Sequence, residues 1–207
     1  MIHIVAQPEV SPAIRRPDSD APGDQFRRYE LPGASHFDEW HFKYFPAIAD
    51  LKAMGVPPLT AHWTYPHECE PDVPVNDFPQ PYFFAGAFAN LERWVKDGTP
   101  PPRAEPIESA LDQFGNARGG VRHPWVEVPS ATFHPVRTGP NSTPWTCADL
   151  GYWTPFTWPR LEAAYGSHAA YMKRFLEATD RLARDRWVTA ADAEKIKADF
   201  IARNHAH

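Results

Sequence analysis

The chain has 207 residues, 43% of them hydrophobic, and a formal net charge of −5 with Lys and Arg scattered along it. That is enough for one packed domain, and it excludes the basic stripe of a nucleic-acid binder. No apolar run approaches the roughly 18 residues of a membrane span, and no secretion signal opens the chain, so a soluble chain without a membrane partner is expected, with no compartment indicated.

The 24 prolines, 8 tryptophans and 13 phenylalanines predict long aromatic-anchored loops. A first strand is predicted over residues 2 to 6, nearly all apolar and therefore buried on both faces, and Gln7-Pro8-Glu9 ends it. Residues 11 to 25 are dense in turn formers and read as loop. A second strand, Phe26 to Leu31, stops at Pro32-Gly33 and leads into His36. Residues 37 to 81 show no sustained period and are read as an aromatic loop region, with a short helical piece near Asp50 to Gly55.

A packing helix is predicted over 82 to 98, with Phe84, Ala87, Phe88, Leu91, Trp94 and Val95 on its core face and Gly98 as its stop. Residues 99 to 160 read as loop with short extended pieces at Ile107 to Phe114 and Trp125 to Val128, separated by a turn at Gly115 to Gly120. Those glycines lack the strand before and the helix after that a phosphate cradle needs, so no nucleotide cofactor is expected. Residues 161 to 204 read as C-terminal helices, one capped by Ser167 with Met172, Phe175, Leu176, Thr179, Leu182 and Ala183 on its face. The last starts at Thr189 and carries Ile196, Phe200 and Ile201.

A carboxylate at the end of one strand and a histidine in the turn after the next form the arrangement in which the acid fixes one imidazole tautomer and the histidine acts as general base. Glu9 and His36 are therefore the candidate catalytic residues. Two other clusters, His62, His67, Glu68 and Cys69, and His36, Asp38 and His41, contain metal-ligating side chains. Their spacing fits neither a helical His pair nor a zinc pattern, and no metal is predicted. Cys69 and Cys147 are either one disulfide or two buried thiols.

Several blocks carry a wider likeness. Gln7-Pro8-Glu9-Val10, Arg15 to Asp24, Tyr29 to His36, Leu91 to Pro102, Gly115 to Arg122 and Tyr165 to Tyr171, taken in this order, resemble the C-terminal half of a bacterial α/β-hydrolase domain family. The resemblance implies a partial α/β-hydrolase domain over 1 to 207, in which the two N-terminal strands are the last two of a doubly wound sheet. It implies hydrolysis of a small ester or related acyl compound by a Ser/His/acid triad. Family members carry the nucleophilic serine in their N-terminal half at a strand-to-helix turn, and no serine of this chain stands in a G-x-S-x-G context. The expectation is therefore a C-terminal hydrolase part, separated from its nucleophile by truncation, a displaced start or gene splitting, and inactive alone. Its partner would be the missing N-terminal half or a second copy. The alternatives are a catalytically silent remnant or subunit, and a ligand or metal module in the aromatic region.

Overall fold

The computed structural model describes residues 1–40, 53–55, 74–138 and 147–204. The pair of cysteines, the His62 to Cys69 cluster, His41 and the first half of the Asp50 to Gly55 piece involve positions outside these residues.

Strand β1 (Ile2–Ala6) and strand β2 (Arg27–Leu31) pair in parallel, Ile2 opposite Arg27 and Ala6 opposite Leu31. The two are not equally covered. β2 is buried along its whole length, whereas His3 of β1 is exposed and Ile2 and Ile4 are only half-buried, so the expectation of a doubly buried first strand fails. Segment 100–121 lies along β2. Val121 N–H donates to Glu30 O at 2.8 Å, Arg27 Nε to Pro101 O at 3.0 Å and the Tyr29 hydroxyl to Pro102 O at 3.0 Å.

The buried charge of β2 is held by a network. Glu30, 2% exposed, accepts from Arg15 Nε and Nη2 (2.9 and 2.8 Å), from Arg28 Nε (2.8 Å) and from Ile107 N–H (2.8 Å). Burial pushes its carboxyl up, and the Arg15, Ile107 and Arg28 hydrogen bonds together outweigh that and hold it below the ordinary value.

Helix α1 (Gln80–Asp97) starts two residues before the predicted span and ends at Gly98 with φ 68°. Its core face is also different. Phe83, Gly86, Ala87, Asn90 and Trp94 are buried, while Phe84, Phe88 and Val95 are exposed. Two polar or small residues set this rotation. A Cβ on Gly86 would stand 2.2 Å from Trp187 O, so only glycine allows this close approach, and Asn90 Nδ2 donates to Arg186 O at 2.6 Å. Hydrophobicity alone could not rank a glycine and an asparagine as core.

After the glycine turn, α2 (Pro124–Glu127) is a short helix where an extended piece was expected, because the His123 side chain accepts from Trp125 N–H and Pro124 occupies the first turn. Strands β3 (Ala131–His134) and β4 (Tyr152–Pro155) form an antiparallel pair that the loop reading missed, with His134 stacked on Tyr152 at 4.2 Å. Among the described residues the strands thus form two separate pairs. Helices α3 (Trp158–Tyr165), α4 (His168–Arg184) and α5 (Ala190–Asn204) complete the chain. Ser167 Oγ accepts from Ala170 N–H and Thr189 Oγ1 from Asp192 N–H, as their cap patterns predict. α4 and α5 meet through Phe175 and Phe200, stacked at 3.6 Å with Trp125 edge-on to both.

Candidate active site

The parallel register of β1 and β2 brings the ends of the two strands level, so the chain leaves both at the same edge. Beyond β1 a 3-10 turn, Gln7–Glu9, points the Glu9 carboxylate across; beyond β2, residues 32 to 36 turn back toward it. The Glu9 carboxylate contacts His36 Nδ1, and its other oxygen accepts from Ala6 N–H at 3.4 Å. The two predicted residues, 27 apart in sequence, are thus brought together.

With the carboxylate at Nδ1, a neutral imidazole carries its proton there and leaves Nε2 as the basic nitrogen. The side chains are 36% and 41% exposed. An ion pair that accessible contributes about 0–1 kcal/mol to stability.

What holds the turn is less accessible. Gly33 N–H donates to Gln7 Oε1 at 2.7 Å and Gln7 N–H to Ala34 O at 3.2 Å, which ties the two turns together. Asn76, fully buried, donates from Nδ2 to Gly33 O at 2.8 Å and accepts Phe78 N–H on Oδ1 at 2.9 Å. Gln80 Nε2 reaches Ser35 O at 2.7 Å, the Ser35 hydroxyl donates to Phe37 O at 2.6 Å, and Phe37 N–H donates to Asp149 O at 2.9 Å. Gly33 has φ 85°, and a Cβ there would stand 2.8 Å from Val126 Cγ2. The carbonyls of Gly33 and Ser35 and the N–H of Gly33 are therefore held by side-chain carboxamides, and Phe37 N–H by backbone from a distant segment.

Gln7, Asn76 and Gln80 are positioning residues that the sequence does not announce. The one available signal is Asn76 and Gln80 flanking Phe78 just before the helix, and it is indistinguishable from ordinary capping. Ser35, beside the histidine in sequence, is fully buried and its hydroxyl is committed to Phe37 O.

Among the described residues no group of three His, Cys, Asp or Glu side chains converges as metal ligands. A cleft of about 940 Å³ lies elsewhere and includes neither Glu9 nor His36. Its link to the turn is indirect, through Phe133, which lines it and stands 3.3 Å from the position of a Gly33 Cβ, and through Asp77, next to Asn76.

A family model described as "Alpha/beta hydrolase domain" matches residues 1–198. No curated protein and no solved structure matches the chain.

Proposed function

Because the chain belongs to the alpha/beta hydrolase domain family, we propose that it serves the hydrolysis of an ester or related acyl bond through a Ser/His/acid triad, with His36 as general base and Glu9 as the acid. The single observation that supports this reading is the Glu9 carboxylate seated on His36 Nδ1 at the common edge of β1 and β2.

In this reaction His36 Nε2 takes the proton of a serine hydroxyl as the oxygen attacks the acyl carbon, and returns it to the leaving alcohol. The acyl-enzyme is then opened by water, whose proton passes through the same nitrogen. Glu9 carries no proton in either step; it holds the tautomer and stabilises the imidazolium. The nucleophile in this reading is a serine outside these 207 residues, since none of the chain's serines stands at a strand-to-helix elbow motif.

The test uses an aryl acetate such as p-nitrophenyl acetate and a serine-reactive fluorophosphonate. The 207-residue chain alone is expected to be neither hydrolytic nor labelled. Combined with the polypeptide encoded immediately upstream, it is expected to hydrolyse the ester, and His36→Ala is expected to lower kcat by about 10³-fold or more. Ester hydrolysis by the combined protein that is unchanged in both His36→Ala and Glu9→Gln overturns the assignment. Hydrolysis by the chain alone that vanishes in His36→Ala puts the nucleophile within these residues.

A further inference from the structure

The cleft of about 940 Å³ has the size of a small-molecule pocket, and its wall is largely aromatic. Two of the rings that line it already hold a cation. The Arg203 guanidinium lies over Trp125 at 5.2 Å and the Arg160 guanidinium over Phe156 at 3.9 Å. A positive charge is drawn to the negative face of an aromatic ring, and most strongly to an indole.

Two indoles in the same wall are unused. Trp153, on β4, is half-buried, and Trp158, the first residue of α3, is 52% exposed. Neither meets another ring or a guanidinium among the described residues. Glu162 stands one turn after Trp158 on α3, so the two side chains share a face, and both line the cleft. The Glu162 carboxylate is exposed and has no hydrogen-bond or ion-pair partner among the described residues.

Charge selects the partner. Of the Asp, Glu and Arg side chains that line the cleft, Asp77 and Arg203 neutralise each other, Arg203 Nη1 donating to Asp77 Oδ2 at 2.6 Å, and Glu162 is left over. Arg160 is not its counter-ion, since it is held over Phe156 and donates from Nη2 to Phe114 O at 3.4 Å. α4 also opens on this wall, but its N-terminus carries only about half a positive charge, and Ser167 Oγ already takes up Ala170 N–H there. A full carboxylate beside two uncovered indoles suits a weakly hydrated cation whose methyl groups can lie on the rings.

We propose that this cleft binds a small organic cation of the quaternary ammonium class, with its charged head against Trp153 and Trp158, Glu162 as its counter-charge, and its apolar remainder against Phe133 and Leu161. The site is separate from Glu9 and His36, and its occupancy does not depend on hydrolysis.

Calorimetric titration of the full chain with (4-hydroxyphenyl)trimethylammonium tests this against 4-tert-butylphenol, which has the same shape without the charge. Saturable one-to-one binding of the cation is expected with a Kd at or below about 1 mM, the neutral isostere binding about tenfold more weakly or worse. Trp158→Ala should weaken the cation about tenfold. Glu162→Gln should weaken it about threefold and leave 4-tert-butylphenol unchanged, the mark of a counter-charge rather than of a packing residue. Both side chains are exposed, so both variants are expected to keep the fold. A Kd for the cation above about 1 mM overturns the proposal. So does equal affinity for the neutral isostere, or cation binding unchanged in both variants.

Discussion

The edge of the β1–β2 pair and the aromatic cleft behind it handle their polar groups in opposite ways. At the strand edge the carboxylate of Glu30 receives four hydrogen bonds, and the carboxamides of Gln7, Asn76 and Gln80 are each spent on the turn that carries His36. In the cleft the carboxylate of Glu162 goes without a partner among the described residues. The first region is overdetermined so that two accessible side chains stay in register, whereas the second leaves capacity unspent.

The contrast breaks most visibly at Glu30. Glu30→Ala leaves Arg28 buried without its carboxylate and is expected to cost about 3–5 kcal/mol in urea unfolding. A loss below about 1 kcal/mol would show that the network is dispensable. The same group sets an acid limit. Its folded pKa lies below its unfolded value of about 4.5, so its contribution is full above that pH and is lost as pH falls through the lower folded value.

Gly33→Ala comes next, because it forces a Cβ into φ 85° and against Val126. The expected loss is about 1–3 kcal/mol, accompanied by a shift of the His36 ring resonances. Unchanged resonances would separate the turn from the site.

His123 gives a pH-dependent effect at the seam between the regions. Its ring is fully buried, meets Phe78 and Phe83 edge-on, and accepts Trp125 N–H at Nδ1. Burial holds its pKa well below 6.5. The unfolded chain takes up a proton below about 6.5 and the folded chain does not, so stability is full above that pH and declines as pH drops, by at most about 1.4 kcal/mol per unit. His123→Gln should flatten this decline, and urea midpoints between pH 5 and 7.5 will read it. An unchanged slope would assign the decline to other histidines.

The smallest effect on stability belongs to the Glu9–His36 pair itself. Glu9→Gln is expected to change unfolding free energy by less than about 0.5 kcal/mol, since both side chains are more than a third exposed. Its signature is instead a change in the tautomer of His36, observable by NMR. A large loss of stability would make Glu9 structural.

Much of the strand edge was legible in the sequence because its logic is short-range. An apolar run ended by Gln7-Pro8-Glu9 and a strand ended by Pro32-Gly33 declare their own boundaries, and the Ser167 and Thr189 caps do the same for α4 and α5. The parts that stayed hidden depend on distant partners. Nothing local tells that Gly86 must meet Trp187 or that Asn90 must reach Arg186, so the stripe Phe84, Phe88 and Val95 looked like core. β3 and β4 are four residues each and find their pairing across a long connection, which left them inside a loop reading. The cleft, built from α2, the β3–β4 pair, α3, α4 and α5, has no sequence signature at all.

One consequence of the parallel register remains. Glu9 lies three residues past Ala6 and His36 five past Leu31, and Ala6 faces Leu31. The connection beyond Glu9, residues 10 to 26, can vary in length without altering that offset, whereas a single residue added or removed within 7 to 8 or 32 to 35 displaces the carboxylate or the histidine by about 3.3 Å, a full strand step. Insertions and deletions should therefore be tolerated very unevenly along the first 36 residues. The contact between Glu9 and His36 acts as a gauge of whether the two strands have paired in the correct frame.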